Sequence, residues 1–274
     1  MQILADYHVH SHHSGDSDAP MNEVVESAIS KGLKFLCFTE HMDIDYPEYP
    51  QDNITKNTFL LDAKTYKNEF LKIKDKYKDQ IELHYGVELG LQPHVLEENK
   101  AFLSENDFEF VIGSNHICNR KDPYYPEFFM DRSEQDAMNE FFESTLENIR
   151  LFNNYDVLGH LDYAIRYAPT KGADYSYDQH RDIIDEILKQ LISDGKGLDV
   201  NTKALYSGMP QPNPDINMLK RFRELGGEII TFGSDAHKAA DISNKFDTAA
   251  DIVRAAGFTS YCIFKDRKPV FYNL

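Results

Sequence analysis

The sequence predicts an α/β protein built as a parallel barrel, and three observations carry that expectation. Segments of strand character alternate with segments of helical periodicity along the chain, the pattern of a parallel sheet with right-handed crossovers. Seven or eight such units fit into 274 residues, the size of one (β/α) barrel rather than an open sheet. Imidazoles and carboxylates recur at the ends of the strand segments, where a barrel carries its chemistry.

An apolar run over residues 2–7 makes the first strand and leads into His8-Val9-His10. Side chains at i and i+2 of extended backbone share a face, so His8 and His10 present two imidazoles to one point, as a metal ion requires. After a polar loop over 12–18, a helix is expected over 21–31, with Met21, Val24, Val25, Ala28 and Ile29 on one stripe and Gly32 as its stop. A buried strand over 33–38 delivers Thr39-Glu40-His41 at its far end. A long loop over 42–57, rich in Pro, Asp and Tyr, precedes a charged helix over 61–77; loops of that length in compact domains tend to be functional.

The third strand, over 81–87, ends at Glu88, and a helix follows over 92–104 with Pro93 at its start. A fourth strand over 108–112 leads through Gly113-Ser114-Asn115 to His116, and an aromatic, Pro-containing loop covers 121–130 before a helix over 133–152. The fifth strand, 157–159, ends at His160, and the loop after it carries Asp162 and Arg166. An amphipathic helix over 177–193 and a sixth strand over 197–200 ending at Asn201 come next. A helical stretch over 218–225 closes at Gly226-Gly227, and the seventh strand, 228–232, ends in Gly233-Ser234-Asp235-Ala236-His237. A last helix is expected over 242–256 and a final short strand over 261–264. No linker, internal repeat or low-complexity segment interrupts the series, so residues 1–274 read as a single domain.

His8, His10, His41, Glu88, His116, His160, Asp235 and His237 thus fall at or just past the ends of six strands, on one rim. Taken singly each has a plain structural reading: His41 as a polar strand end, Glu88 as a helix-start carboxylate, Asp235 as an N-cap. Taken together their placement points to metal. Imidazole with carboxylate suits Zn²⁺, Mn²⁺ or Fe²⁺, and a set without thiolates is not a structural zinc knuckle. Eight N/O donors exceed what one catalytic ion takes, so two or three ions are implied, with Glu88 suited to bridging. His84, His94 and His180 lie inside predicted elements and read as structural. His12 and His13 read as solvated neighbours or substrate contacts.

The net charge of −17 and pI near 5.0 argue against affinity for nucleic-acid phosphates through a basic surface. Cys37, Cys118 and Cys262 form neither a disulfide framework nor a C-x-x-C site, which points to a reducing cytoplasm. No stretch resembles an export signal or a membrane span, and oligomeric state is not legible.

The motifs D-Y-H-V-H-S-H-H-S-G-D at 6–16, T-E-H at 39–41, G-V-E at 86–88, G-S-N-H at 113–116, G-H-L-D at 159–162 and G-S-D-A-H at 233–237 run across nearly the whole chain. This ordered set resembles the polymerase and histidinol phosphatase (PHP) family, most closely its histidinol-phosphate phosphatase branch. The resemblance implies a distorted (β/α)7 TIM-like barrel with three divalent metal ions. His8, His10, Glu88 and Asp235 would hold the first, Glu88, His116 and His160 the second, and Asp16, His41 and His237 the third; Asp16 enters only through the resemblance. It further implies hydrolysis of L-histidinol phosphate in histidine biosynthesis by attack of a metal-bridging hydroxide. The alternative is a family phosphatase acting on another small phosphomonoester, such as a nucleotide.

Within that expectation Asp235 and His237 are the candidate proton donors to the leaving alkoxide, beside Glu88 as bridging carboxylate. Arg166 and then Lys203 are the candidate phosphate cations. The chain departs from its relatives here, reading Asn201-Thr202-Lys203-Ala204-Leu205-Tyr206 where Asn-Thr-x-Gly-Leu-Arg is expected, so Lys203 either replaces a guanidinium clamp or leaves it weaker. Asp43 and Asp45 are candidates for a substrate ammonium, and the Tyr and Phe residues of 124–129 for a wall against an imidazole.

Overall fold

A computed structural model of the chain describes residues 2–274. Seven parallel strands lie side by side in sequence order: β1 (Ala5–Val9), β2 (Phe35–Met42), β3 (Glu82–Gly90), β4 (Phe110–Ser114), β5 (Val157–Leu158), β6 (Gly197–Asn201) and β7 (Ile230–Gly233). The sheet closes on itself: Val9 pairs with Ala236, Asp235 N–H donates to the His8 carbonyl at 2.7 Å, and His10 N–H donates to the Ala236 carbonyl at 2.9 Å. The strands are buried throughout apart from the outer ends of β2 and β3, as expected of a parallel sheet covered on both faces.

Helices α1 (Met21–Ser30), α2 (Ala63–Tyr77), α3 (Leu96–Glu105), α4 (Glu134–Leu151), α5 (Arg181–Ser193), α6 (Lys203–Tyr206), α7 (Ile216–Glu224) and α8 (Phe246–Ala255) fill the crossovers. Their starts follow local chemistry. Asp62 caps α2 by accepting from Thr65 N–H, Ser133 caps α4 through Asp136 N–H, and Asp215 caps α7 through Asn217 and Met218 N–H. Among the described residues no helix is long and apolar enough to cross a membrane.

The expected final strand is one arm of an antiparallel hairpin, β8 (Ser260–Lys265) with β9 (Lys268–Asn273), outside the barrel sheet. It closes the mouth at the strands' N-terminal ends. Tyr7 Oη donates to the Phe264 carbonyl at 3.0 Å, Leu4 N–H donates to Tyr261 Oη at 3.1 Å, and Arg267 N–H donates to the Glu109 carbonyl, just before β4, at 2.9 Å. The opposite mouth is left for the polar strand ends.

Candidate active site

The hub of the open mouth is Glu88, fully buried near the end of β3 and in register with His41 on β2. Its Oε1 accepts from Ser114 Oγ at 2.7 Å and lies 3.1 Å from His116 Nε2 and 3.0 Å from His160 Nε2. Its Oε2 lies 3.1 Å from His8 Nε2, 3.1 Å from His41 Nδ1 and 3.5 Å from His10 Nε2. Asp235 Oδ1 stands 3.6 Å from His10 Nε2, and Asp16 Oδ2 stands 3.0 Å from His237 Nε2 and 3.7 Å from His41 Nε2. Residues from β1, β2, β3, the ends of β4, β5 and β7, and the β1–α1 loop therefore converge on one cluster around Glu88.

These separations test whether a cation fits. Zn–N and Zn–O bonds of about 2.0–2.2 Å in a tetrahedron put neighbouring donors about 3.3 Å apart, and the contacts above fall around that value. His8 Nε2, His10 Nε2, His41 Nδ1, His237 Nε2 and Glu88 Oε2 are buried without a hydrogen-bond partner, a cost that coordination would remove. Donors of His10, His41 and His237 lie within 4.8 Å of one another, as do those of His8, His160 and Asp235. The residues present fit divalent metal ions.

Neighbouring groups set the tautomers. His8 Nδ1 is 2.8 Å from Asp199 Oδ2 and His116 Nδ1 is 2.8 Å from Asp43 Oδ1; a carboxylate only accepts, so each Nδ1 carries a proton, and a bound cation would meet the Nε2 lone pair of each ring. His10 Nδ1 is 3.0 Å from Ser14 Oγ, whose own proton goes to Glu40 Oε2 at 2.6 Å, so Ser14 accepts from the ring. Glu40 also takes Ser11 Oγ–H at 2.5 Å and Ser11 N–H at 3.0 Å, fixing the β1–α1 loop. Asp199, Glu40 and Ser14 had no assigned role in the sequence reading. The available signal for the first two was a charged residue in a buried parallel strand, which demands a partner.

The electrostatics are those of a cation site. Burial pushes Glu88 up, but His8, His116 and His41 together hold it well below the usual carboxylate range. Burial likewise opposes ionisation of Asp235, which Lys203, His8 and Arg166 overcome. Burial lowers His41, yet Asp16 and Glu88 lift it to about 9; against the same burial, Glu88 and Asp199 raise His8, and Asp43 and Glu88 raise His116. His160, with weaker compensation, is pulled down to about 3, and His10 is lowered by burial and by the neighbouring imidazole of His41.

The cluster opens onto a cavity of about 310 Å³. Arg166 and Lys203 both line it. Arg166 is heavily committed: Nε donates to Asn213 Oδ1 at 2.6 Å, Nη1 to Asp235 Oδ2 at 3.1 Å and Nη2 to Asn201 Oδ1 at 2.7 Å. Lys203 Nζ is 3.3 Å from Asp235 Oδ1 and 3.1 Å from His237 Nδ1. Where an arginine was expected, Tyr206 instead donates to the Ser234 and Asp235 carbonyls at 3.0 and 3.2 Å, tying α6 to the end of β7.

The other mouth residues separate from expectation. Asp43 lines the cavity but is spent on His116, and Asp45 pairs with His94 at 2.8 Å. The carboxylates beside the aromatic wall are Asp52 and Asp122, the latter accepting from Tyr46 and Tyr163. Tyr124 and Tyr125 face the cavity, whereas Phe128 and Phe129 join the core. His84 is buried, and His180 Nδ1 pairs with Asn139 at 2.6 Å, both apart from the cluster. His12 and His13 meet Glu69 on α2 rather than the cavity.

Known proteins resemble this chain in sequence and fold. A histidinol-phosphatase of Lactococcus lactis subsp. lactis is 32% identical over 264 residues, covering 96% of this chain and 95% of its own. A probable histidinol-phosphatase of Clostridium acetobutylicum is 29% identical, covering 99% and 97%. A crystal structure of histidinol phosphate phosphatase from Lactococcus lactis, complexed with zinc, L-histidinol and phosphate, superposes with a TM-score of 0.89 at 31% identity, over 97% of this chain and 98% of that one. The fold recurs in a putative histidinol phosphatase from Listeria monocytogenes, with a TM-score of 0.76 at 20% identity over 89% and 99%. Because the PHP domain model matches residues 6–203, from the aspartate before His8 to Lys203, the chain belongs to the PHP domain family.

Proposed function

We propose that this chain is a metal-dependent phosphomonoesterase that hydrolyses L-histidinol phosphate to L-histidinol and inorganic phosphate. One observation carries the reading: a single cavity joins the buried imidazole and carboxylate pool, with Arg166 and Lys203 beside it, to a wall of Tyr46, Tyr124, Tyr125 and Tyr167 that includes Asp52 and Asp122. A phosphoryl group needs the cationic end; an alcohol bearing an ammonium and an imidazole needs flat rings and carboxylates. A nucleobase would also stack on the tyrosines, but it brings no ammonium to Asp52 and Asp122. The Lactococcus lactis relative solved with zinc, L-histidinol and phosphate supports the same choice.

We assign three ions: His8, His10, Glu88 and Asp235 to the first, Glu88, His116 and His160 to the second, Asp16, His41 and His237 to the third. The donor type accepts zinc, manganese or iron. Divalent ions bound there polarise phosphoryl oxygens and make water acidic enough to attack near neutral pH. The chain's own groups do the rest. Glu88 holds the inward faces of five imidazoles around one charge. Arg166 fixes Asp235, and Lys203 is the cation left to meet the phosphoryl oxygens.

Attack of a water oxygen on phosphorus breaks the ester P–O bond, and the departing alkoxide takes a proton. Asp235, held ionised, has none to give. We assign delivery to the Lys203 ammonium, which stands 3.1 Å from His237 Nδ1, because His237 is itself given to the third ion. Since Asp235 and His237 lie beyond the matched residues 6–203, we read residues 1–274 as one phosphoesterase domain. All three cysteines are buried free thiols, in keeping with a cytoplasmic enzyme.

Phosphate release by zinc- and manganese-replete protein, measured over histidinol phosphate, sugar phosphates and nucleoside monophosphates, tests this. A kcat/KM for histidinol phosphate about 10² or more above the others is expected. Equal turnover of the panel would replace the substrate, and no turnover at all would remove the enzyme.

A further inference from the structure

Outside the cavity, the β1–α1 loop and α2 build a second set of donors. His12 Nε2 stands 3.3 Å and His13 Nε2 3.1 Å from the same oxygen, Glu69 Oε2, and one donor atom of each residue falls within 4.8 Å of the other two. Only the His13 approach is a hydrogen bond; among the described residues the His12 approach lacks that geometry. The two rings lie close, with centroids 4.4 Å apart. Both separations match the donor spacing of about 3.3 Å that tetrahedral zinc imposes. As ion pairs these partly exposed contacts would be worth little, and two consecutive histidines gain nothing by turning to one oxygen. As ligands they gain a cation.

We propose that His12, His13 and Glu69 form a peripheral site for a divalent ion of the zinc class, separate from the Glu88 cluster. Two imidazoles and a carboxylate are its protein ligands, and with His12 and Glu69 well exposed, water completes the coordination. Asp16 sits in the same loop and reaches His237 at 3.0 Å, so an ion clasping that loop to α2 would brace Asp16 from outside.

The test uses full-length protein whose Glu88 cluster is already filled with zinc, titrated calorimetrically with zinc alone. Wild type takes up about one further equivalent, while Glu69→Ala and His12→Asn take up none. Far-UV dichroism confirms that both variants are folded, and neither alteration touches the cavity. Zinc-soaked crystals of wild type show an anomalous peak between the three side chains. Uptake by both variants equal to wild type, or no further uptake by wild type, overturns the proposal, whichever substrate the enzyme proves to use.

Discussion

At the scale of single residues, the side chains that the structure gathers around Glu88 were legible in the sequence and the groups that hold them from behind were not. Imidazoles at strand ends stand out because nothing in a barrel's core requires them there. Asp199 does not, since it occupies the middle of Gly197–Asn201 and looks like a blemish in a buried strand. The role we give it rests on the 2.8 Å contact to His8 Nδ1, which holds a proton there and would leave Nε2 to bind the ion. Asp199→Asn can point an amide N–H at that nitrogen, favouring the other tautomer and placing a proton where the ion should sit. The expected loss is about 10–100-fold in metal affinity, with activity falling in parallel and partly recovered by excess zinc. Competition with a chromophoric chelator measures it; unchanged affinity would mean that Asp199 is merely buried.

At the scale of elements, each of the seven barrel strands was expected, but several boundaries were drawn short. Strands β2 and β3 run on through His41 and Glu88 to Met42 and Gly90, because the polar residues that end the apolar run are themselves buried around the site. The closing hairpin was half seen. Its turn is Asp266-Arg267, both at positive φ (49° and 62°), a conformation usually signalled by Asn-Gly or Asp-Gly, so β9 had no marker. The seam between β7 and β1 was invisible for a different reason, being a question of space. A Cβ on Gly233 would stand 2.3 Å from His8 Cβ and 2.7 Å from Asp199 Oδ1. Gly233→Ala must therefore pry the seam apart at the residue that orients a ligand. A destabilisation of about 1–3 kcal/mol is expected, read as a lower Tm, together with lost zinc affinity. Retention of both would show that the seam yields without disturbing His8.

At the scale of the whole molecule, an acidic chain of net charge −17 has gathered cationic groups at its core, and pH decides what occupies them. Without metal, the carboxylates Glu88, Asp199, Asp16 and Asp43 favour protons on His8, His41 and His116. A histidine whose folded pKa lies above its unfolded value of about 6.5 stabilises the fold fully below that pH. The contribution drains away as pH rises through the folded value, about 9 for His41. The metal-free protein should therefore lose stability steadily between about pH 6.5 and 9, with a Tm drop on the order of 5–10 °C. Zinc replaces the protons it displaces and holds the same carboxylates, so in the loaded protein that slope should vanish, while loading itself fails as the medium turns acid. Melting curves of chelator-treated and zinc-replete protein across that range decide the matter. Parallel curves would mean that the histidines around Glu88 do not exchange protons for metal, and the assignment of this cluster as the metal centre would fall.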